Sequence, residues 1–251
     1  MNERDLVVGL PSVAEALNNN QRIQYQIYAT KEGLADLQKR TSVDASKFDV
    51  EIKLMGSHEV QETAKKLYQE FGFNYFRVPS NLFLLTSALP ENDPSWLFER
   101  IAPGIKILAL DQVSDAHNGA AILRTAAFFG VDAVLVSTKG SFGTGPNFHR
   151  LASGASEHLP IVKCGSLPKI ISKLQSLGVN CLGLSEHETG APENMTESKG
   201  LCLVLGAEDM GLSYAVKRVL KSTVALESQG KIKSLNVSVA AAVAMDRYFR
   251  N

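Results

Sequence analysis

Three polar segments, each following an apolar run, hold the residue types a catalytic site needs. They are DQVSDAHNGAAILRTAAFFGV (111–131), LGAEDMGLS (205–213) and GKIKSLNVSVAAAV (230–243). Asn118, Ser234 and Asn236 carry groups that donate and accept hydrogen bonds, and Glu208 offers a carboxylate. Arg124 stands six residues after Asn118 in an otherwise apolar helix start. A guanidinium rarely goes inside without a partner and suits phosphate or developing negative charge. Each segment alone also has a plain reading. Asn118 could be a helix N-cap, GAEDMG a tight turn, SLN a helix start, and Arg124 an ion-pair partner of Glu208 or Asp115.

The surrounding pattern says which elements hold these segments. From residue 105 the strand candidates are 105–110, 132–137, 159–164, 179–185, 201–206 and 223–227, with helical patterns between most of them. Nearly continuous apolar strands alternating with helices predict a parallel sheet covered on both faces, with ligands beyond the carboxyl ends of the strands. The three polar segments follow strands 105–110, 201–206 and 223–227. The chain closes on NVSVAAAVAMDRYFRN, a helix of small residues suited to close packing on another helix or subunit. Residues 1–87 carry a shorter α/β pattern, with strands at 23–29, 50–55 and 81–87 and helices at PSVAEALNN, KEGLADLQKR and SHEVQETAKKLYQEFG. Ser57 is a candidate N-cap of the last. Pro90, Pro94 and Pro103 mark the boundary. The expected domains are 1–88 and 105–251, joined by a linker at 89–104.

Composition excludes several classes. The 251 residues are 45% hydrophobic and 21% charged, an ordinary globular balance. Cys164, Cys181 and Cys202 form no C-x-x-C pair, so buried free thiols are expected rather than a metal site or disulfide framework. MNERDLVVG lacks the basic and apolar regions of a signal peptide, and no apolar run reaches the ~18 residues of a membrane span. A cytoplasmic protein without membrane or metal partners is expected. The 26 basic residues balance 26 acidic ones, yet residues 1–100 carry net −3 and the rest +3. RNA binding, if any, must then rest on a local patch with a shallow salt dependence. No G-x-G-x-x-G follows strand 105–110, which excludes a dinucleotide fold.

Together the three segments resemble the motifs of the SpoU/TrmH branch of SPOUT RNA ribose 2'-O-methyltransferases. DAHNGAAILRTAAFFGV matches the first motif, GAEDMGLS the second and SLNVSVAAAV the third, and LASGASEHLPIV (151–162) is similar to a further family segment. GLPSVAEAL (9–17) resembles the opening of the ribosomal-protein-L30e-like domain that many rRNA-directed members carry. The resemblance implies an α/β fold: a SPOUT domain with a mostly parallel sheet and a deep C-terminal trefoil knot, preceded by a small L30e-like RNA-binding domain. It implies methylation of a ribose 2'-hydroxyl in structured RNA, ribosomal (23S-type) first. A tRNA-directed enzyme and a catalytically weak RNA-binding member are the alternatives. It implies S-adenosylmethionine held by Gly206, Leu226 and Leu235, mostly through backbone groups. It also implies a homodimer with the final helix in its interface.

Family proposals place Arg124 at the hydroxyl, sometimes as general base. A guanidinium stays protonated in proteins, so Arg124 is better read as an electrostatic clamp on phosphate and developing alkoxide. Asn118 would orient Arg124 or the ribose, Glu208 would pair with Arg124 or hold the third-motif loop, and Ser234 and Asn236 would bond the substrate. Arg150, Lys231 and Lys233 are the RNA-binding candidates. The glycine-rich loop 139–150, with Phe142, Phe148, His149 and Arg150, could clamp or stack a nucleotide. Three departures stand out. The first motif lacks its usual Pro at Ala116, Ala120 replaces its usual Gly, and Leu226-Glu227-Ser228 replaces the usual I-P-M.

Overall fold

The computed structural model describes residues 4–185, 198–232 and 234–250. The order begins β1 (Arg4–Val8), α1 (Leu10–Asn18), β2 (Gln24–Ala29), α2 (Lys31–Thr41), β3 (Glu51–Leu54), α3 (Ser57–Glu70) and β4 (Leu82–Ser87). It continues α4 (Pro94–Phe98), β5 (Ile105–Leu110), α5 (Ala116–Phe128), β6 (Ala133–Ser137), α6 (Pro146–Ala152), β7 (Ile161–Cys164) and α7 (Leu167–Ser176). It closes with β8 (Val179–Leu184), β9 (Gly200–Leu205), α8 (Tyr214–Lys217), β10 (Ser222–Val224) and α9 (Val237–Phe249). The chain forms two compact units, residues 1–90 with 143–158 and residues 91–142 with 159–251.

The first unit is built on a four-stranded sheet ordered β1-β4-β2-β3. β4 runs antiparallel to β1 and β2, while β3 is parallel to β2. Side chains alternate across a strand, so Val7, Leu82 and Leu84 join one apolar layer with Val13 and Leu17 of α1 and Leu37 of α2. Leu6, Val8 and Phe83 face the other way, onto Val60, Ala64 and Tyr68 of α3. Gly56, not Ser57, is the N-cap of α3, and the Glu59 carboxylate accepts from the Gly56 N–H at 2.9 Å.

Residues 143–158 were expected within the second domain but pack in the first unit. A buried polar cluster ties them there. The Arg22 guanidinium donates to Glu157 through Nε at 2.7 Å and Nη2 at 2.8 Å, with both side chains sealed from solvent. Arg22 Nη1 also reaches Asp5 at 3.0 Å and the Ser87 carbonyl at 2.6 Å. His149 Nε2 lies 3.0 Å from Asp5, and Ser12 Oγ donates to the His149 carbonyl. Every polar atom of the guanidinium fork that is buried here meets an acceptor, which is the condition for burying it.

The second unit carries a six-stranded sheet ordered β10-β8-β9-β5-β6-β7. Its pairings are all parallel. Ile107, Ala109, Leu135, Cys164, Cys202 and Val204 pack with Leu167, Ile171 and Leu174 of α7. Leu97 of α4 joins this core, so the expected linker 89–104 contributes a packed helix. The three cysteines are free and buried, and burial pushes the Cys164 thiol up to about 12. Among the described residues no helix is long and apolar enough to cross a membrane.

Candidate active site

The second unit opens a cavity of about 500 Å³ beyond the carboxyl ends of β8 and β9. Ligand pockets of small molecules fall in this size range. Leu184 and Ser185 leave β8, and Leu205 and Gly206 leave β9. The far wall is the chain from Leu226 to Leu235 and one face of α9, including Val237, Ala240 and Val243. Parallel strands end where their helices begin, and that leaves such a crevice.

The second motif makes its floor. Ala207 and Gly211 exchange both backbone hydrogen bonds, at 3.1 and 2.9 Å, and close a tight loop whose tip is Glu208-Asp209-Met210. Gly211 has φ +63°, and a methyl group at Gly206 would stand 2.0 Å from the Gly211 carbonyl carbon. Both glycines are therefore required by the backbone. The buried Asp111 carboxylate, at the end of β5, accepts from the Ser213 N–H at 2.7 Å and holds the end of the motif.

The first and third motifs meet over this loop. Asp115, rather than Asn118, caps α5, accepting from the Asn118 N–H at 2.8 Å. The Asn118 side chain is thereby free to reach outward, and its Nδ2 donates to Glu208 at 3.0 Å. Asn236 caps α9, its Oδ1 accepting from the Ser238 N–H at 2.9 Å. That fixes which end of the amide points away. Asn236 Nδ2 donates to Asn118 Oδ1 at 3.1 Å and to Glu208 at 3.0 Å. Each group has the role its chemistry allows: two amides donate and one carboxylate accepts on both oxygens. The plain and functional readings of SLN thus hold together, since Asn236 caps and also joins the motifs.

Other candidates divide. Gly206, Leu226, Ser234 and Leu235 line the cavity, as does Glu227, the residue that departs from the family pattern. Ser234 makes no hydrogen bond to another described residue. Lys231 is exposed on the same stretch, and Lys233 lies outside the described residues. Arg124 is exposed on α5 in the stripe His117–Ala121–Arg124–Phe128. It lines no part of the cavity, and among the described residues it pairs with neither Glu208 nor Asp115. Arg150 is exposed in the first unit. Phe142, Phe148 and His149 are buried, so these three rings are not available to stack a nucleotide. Phe142 lies against Gly119, where a methyl group would come within 2.4 Å of its ring, so glycine at 119 rather than 120 makes the room. Leu184, Ser185, Met210 and Lys217 also line the cavity and were not anticipated. For Leu184 and Ser185 the signal is the rule on strand ends, but the order of strands that applies it to β8 is not written in the chain, whereas Met210 lies inside the second motif and Lys217 on α8.

The SpoU rRNA Methylase family model matches residues 106–246. The chain belongs to the SpoU rRNA methylase family. The 23S rRNA (guanosine-2'-O-)-methyltransferase RlmB of Nitrosomonas europaea is 33% identical over 154 residues, covering 61% of this chain and 59% of that protein. RlmB of Acinetobacter baylyi is 34% identical over 141 residues, covering 55% and 57%. The matched stretch thus spans less than two thirds of these relatives. Among solved structures, the SpoU methyltransferase AviRb of Streptomyces viridochromogenes, in complex with AdoMet, aligns with TM-score 0.75 at 19% identity, covering 99% of this chain and 90% of its own. An RNA 2'-O ribose methyltransferase aligns with TM-score 0.73 at 21% identity, covering 99% and 88%. At these identities the alignments establish the SpoU fold.

Proposed function

We propose that this SpoU-family chain methylates a ribose 2'-hydroxyl of structured RNA, using S-adenosylmethionine, with ribosomal RNA as substrate. The observation that carries the reading is the junction of three sequence-distant motifs through Asn118, Glu208 and Asn236, of which Glu208 also lines the cavity at the strand ends. RlmB relatives act on 23S rRNA, which favours rRNA over tRNA.

The cavity fits the cofactor chemically. It is part apolar, through Leu226, Leu235 and Val237, and part acidic, through Glu208, Asp209 and Glu227, which suits a sulfonium bearing an ammonium group. Gly206, Leu226 and Leu235 would hold it, chiefly by backbone groups and apolar cover. Bound there, the cofactor supplies an activated methyl group. The protein's work is then positioning and charge management. Asn118 and Asn236 hold the mouth in one arrangement, Ser234 offers a hydrogen bond to the ribose side, and Glu208 locks both amides. Arg124, uncommitted among the described residues, would bind phosphate and offset negative charge developing at the 2'-oxygen. Lys231 and Arg150 would contact RNA phosphates, as would Lys233. We assign the first unit to substrate RNA, and a second copy to apolar side chains left exposed on α5 and α9 away from the cavity, Phe128 and Val239. A cytoplasmic setting follows from an rRNA substrate.

The test is methyl transfer from labelled S-adenosylmethionine to rRNA by the wild type and by Arg124→Ala and Arg124→Lys. Transfer by the wild type with at least tenfold loss in both variants is expected. Near-normal turnover in both variants removes Arg124 from this role. A second reading, RNA binding without turnover, rests on Glu227 in the cavity wall. Calorimetry decides it: no binding at millimolar S-adenosylmethionine selects the second reading.

A further inference from the structure

In the first unit the chain after α3 is anchored at both ends and bare between them. The Phe73 N–H donates to the Tyr68 carbonyl at 2.8 Å, closing α3 through Gly72 at φ +76°. Gln61 of α3 then pins the next turn. Its Oε1 accepts from the Tyr75 hydroxyl at 2.7 Å and the Val78 N–H at 3.0 Å, and its Nε2 donates to the Val78 carbonyl at 2.9 Å. Tyr75 packs edge-on to Tyr68 at 5.6 Å. Phe76 and Arg77 sit between these anchors and face solvent, with Phe76 51% exposed. A turn this well fixed could have buried its phenyl ring, and instead it displays it.

Phe73, 39% exposed, lies over the backbone of Gly145, where a methyl group would come within 2.5 Å of the ring. Gly145 caps α6, which carries the exposed Arg150. The Arg150 guanidinium is aimed by Asn147, whose Oδ1 accepts from Nε at 3.2 Å and Nη2 at 2.8 Å. Among the described residues neither Arg77 nor Arg150 pairs with a carboxylate.

Exposed aromatic rings beside cations without carboxylate partners are the components of single-strand nucleic-acid binding. Buried Phe142 and Phe148 do not supply them, whereas Phe73 and Phe76 do. We propose that Phe73, Phe76, Arg77 and Arg150 form a platform for unpaired RNA nucleotides, with bases stacking on the phenyl rings and phosphates held by the guanidiniums. This rests on RNA being the substrate, as proposed above, and names where its single-stranded part binds.

The test uses the whole chain and fluorescence anisotropy with a labelled mixed-sequence RNA dodecamer, single-stranded and as a duplex. The wild type is expected to prefer the single strand. Phe76→Ala should weaken single-strand binding roughly tenfold without changing its salt slope, and Phe76→Trp should retain it. Arg77→Gln with Arg150→Gln should lower the slope by about 1.4. Wild-type binding by Phe76→Ala, or by Phe76→Leu, overturns the platform, the latter because an aliphatic contact then suffices, as for a protein partner. A wild type that binds neither RNA overturns the RNA reading itself and the platform with it. Phe76 is exposed, so unchanged thermal unfolding of its variants separates lost binding from lost fold.

Discussion

Asn236 donates its side-chain amide to the Asn118 carbonyl oxygen at 3.1 Å, and both amides close on the Glu208 carboxylate. Asn236 spends its other end as the cap of α9. Replacing it by Asp keeps the cap and sets a second carboxylate against Glu208. Asn236→Asp should therefore unfold close to the wild-type temperature while methyl transfer falls roughly ten- to a hundredfold, the worth of a hydrogen bond to a charged group. Steady-state kinetics with a melting curve decides it; unchanged turnover would detach this triangle from the reaction.

Gly206 touches the Gly211 backbone directly. Gly206→Ala must push the second motif off β9, at about 1–3 kcal/mol. The cavity floor moves with it, so S-adenosylmethionine affinity by calorimetry should drop as well. A variant with lower melting temperature and intact affinity would mean that the floor holds no cofactor.

Arg22 and Glu157 are both sealed from solvent. Glu157→Gln leaves a guanidinium buried with less than its due of negative charge. The expected loss is about 3–5 kcal/mol in urea unfolding at neutral pH, far above the ~1 kcal/mol of a surface pair.

Acid should act through Asp5. Burial raises its carboxyl, but His149 and Arg22 outweigh that and hold it well below the usual carboxylate range. A carboxyl lowered in the folded state stabilises fully above its unfolded value of about 3.9 and loses that contribution as pH falls. Unfolding midpoints should hold between pH 7 and 5 and fall below about pH 4. Asp5→Asn should start lower and fall less steeply, and an identical acid profile would refute the assignment.

The parallel sheet was readable because β5, β6 and β9 are short continuous apolar runs, placed by the sequence within a residue of their observed bounds. β10 was expected through Glu227 but pairs on one side only, with β8, and stops at Val224, after which the chain turns to line the cavity. α8 was expected over SYAVKRVLK and is a single turn, Tyr214–Lys217. β1 was missed because its apolar run, Leu6–Val8, is too short to stand out as a continuous apolar strand, although it is apolar on both faces of its sheet. The site's residue types were legible in three motifs, whereas their pairing was not: a hydrogen bond across 118 residues leaves no local mark. The same holds for Arg22 and Glu157, 135 residues apart, whose pairing withdraws residues 143–158 from the domain to which their position assigns them.

That withdrawal sets a timetable for synthesis. Chains emerge from the ribosome amino end first, and domains fold as units when complete. The first unit here is incomplete until Glu157 has emerged, by which time β5, α5 and β6 of the other unit are already outside. Until then Arg22 has Asp5 and the Ser87 carbonyl but lacks Glu157, in a nascent chain that is already long. The first unit therefore closes late although it begins the chain, and a ribosome stalled before residue 157 carries it unfinished.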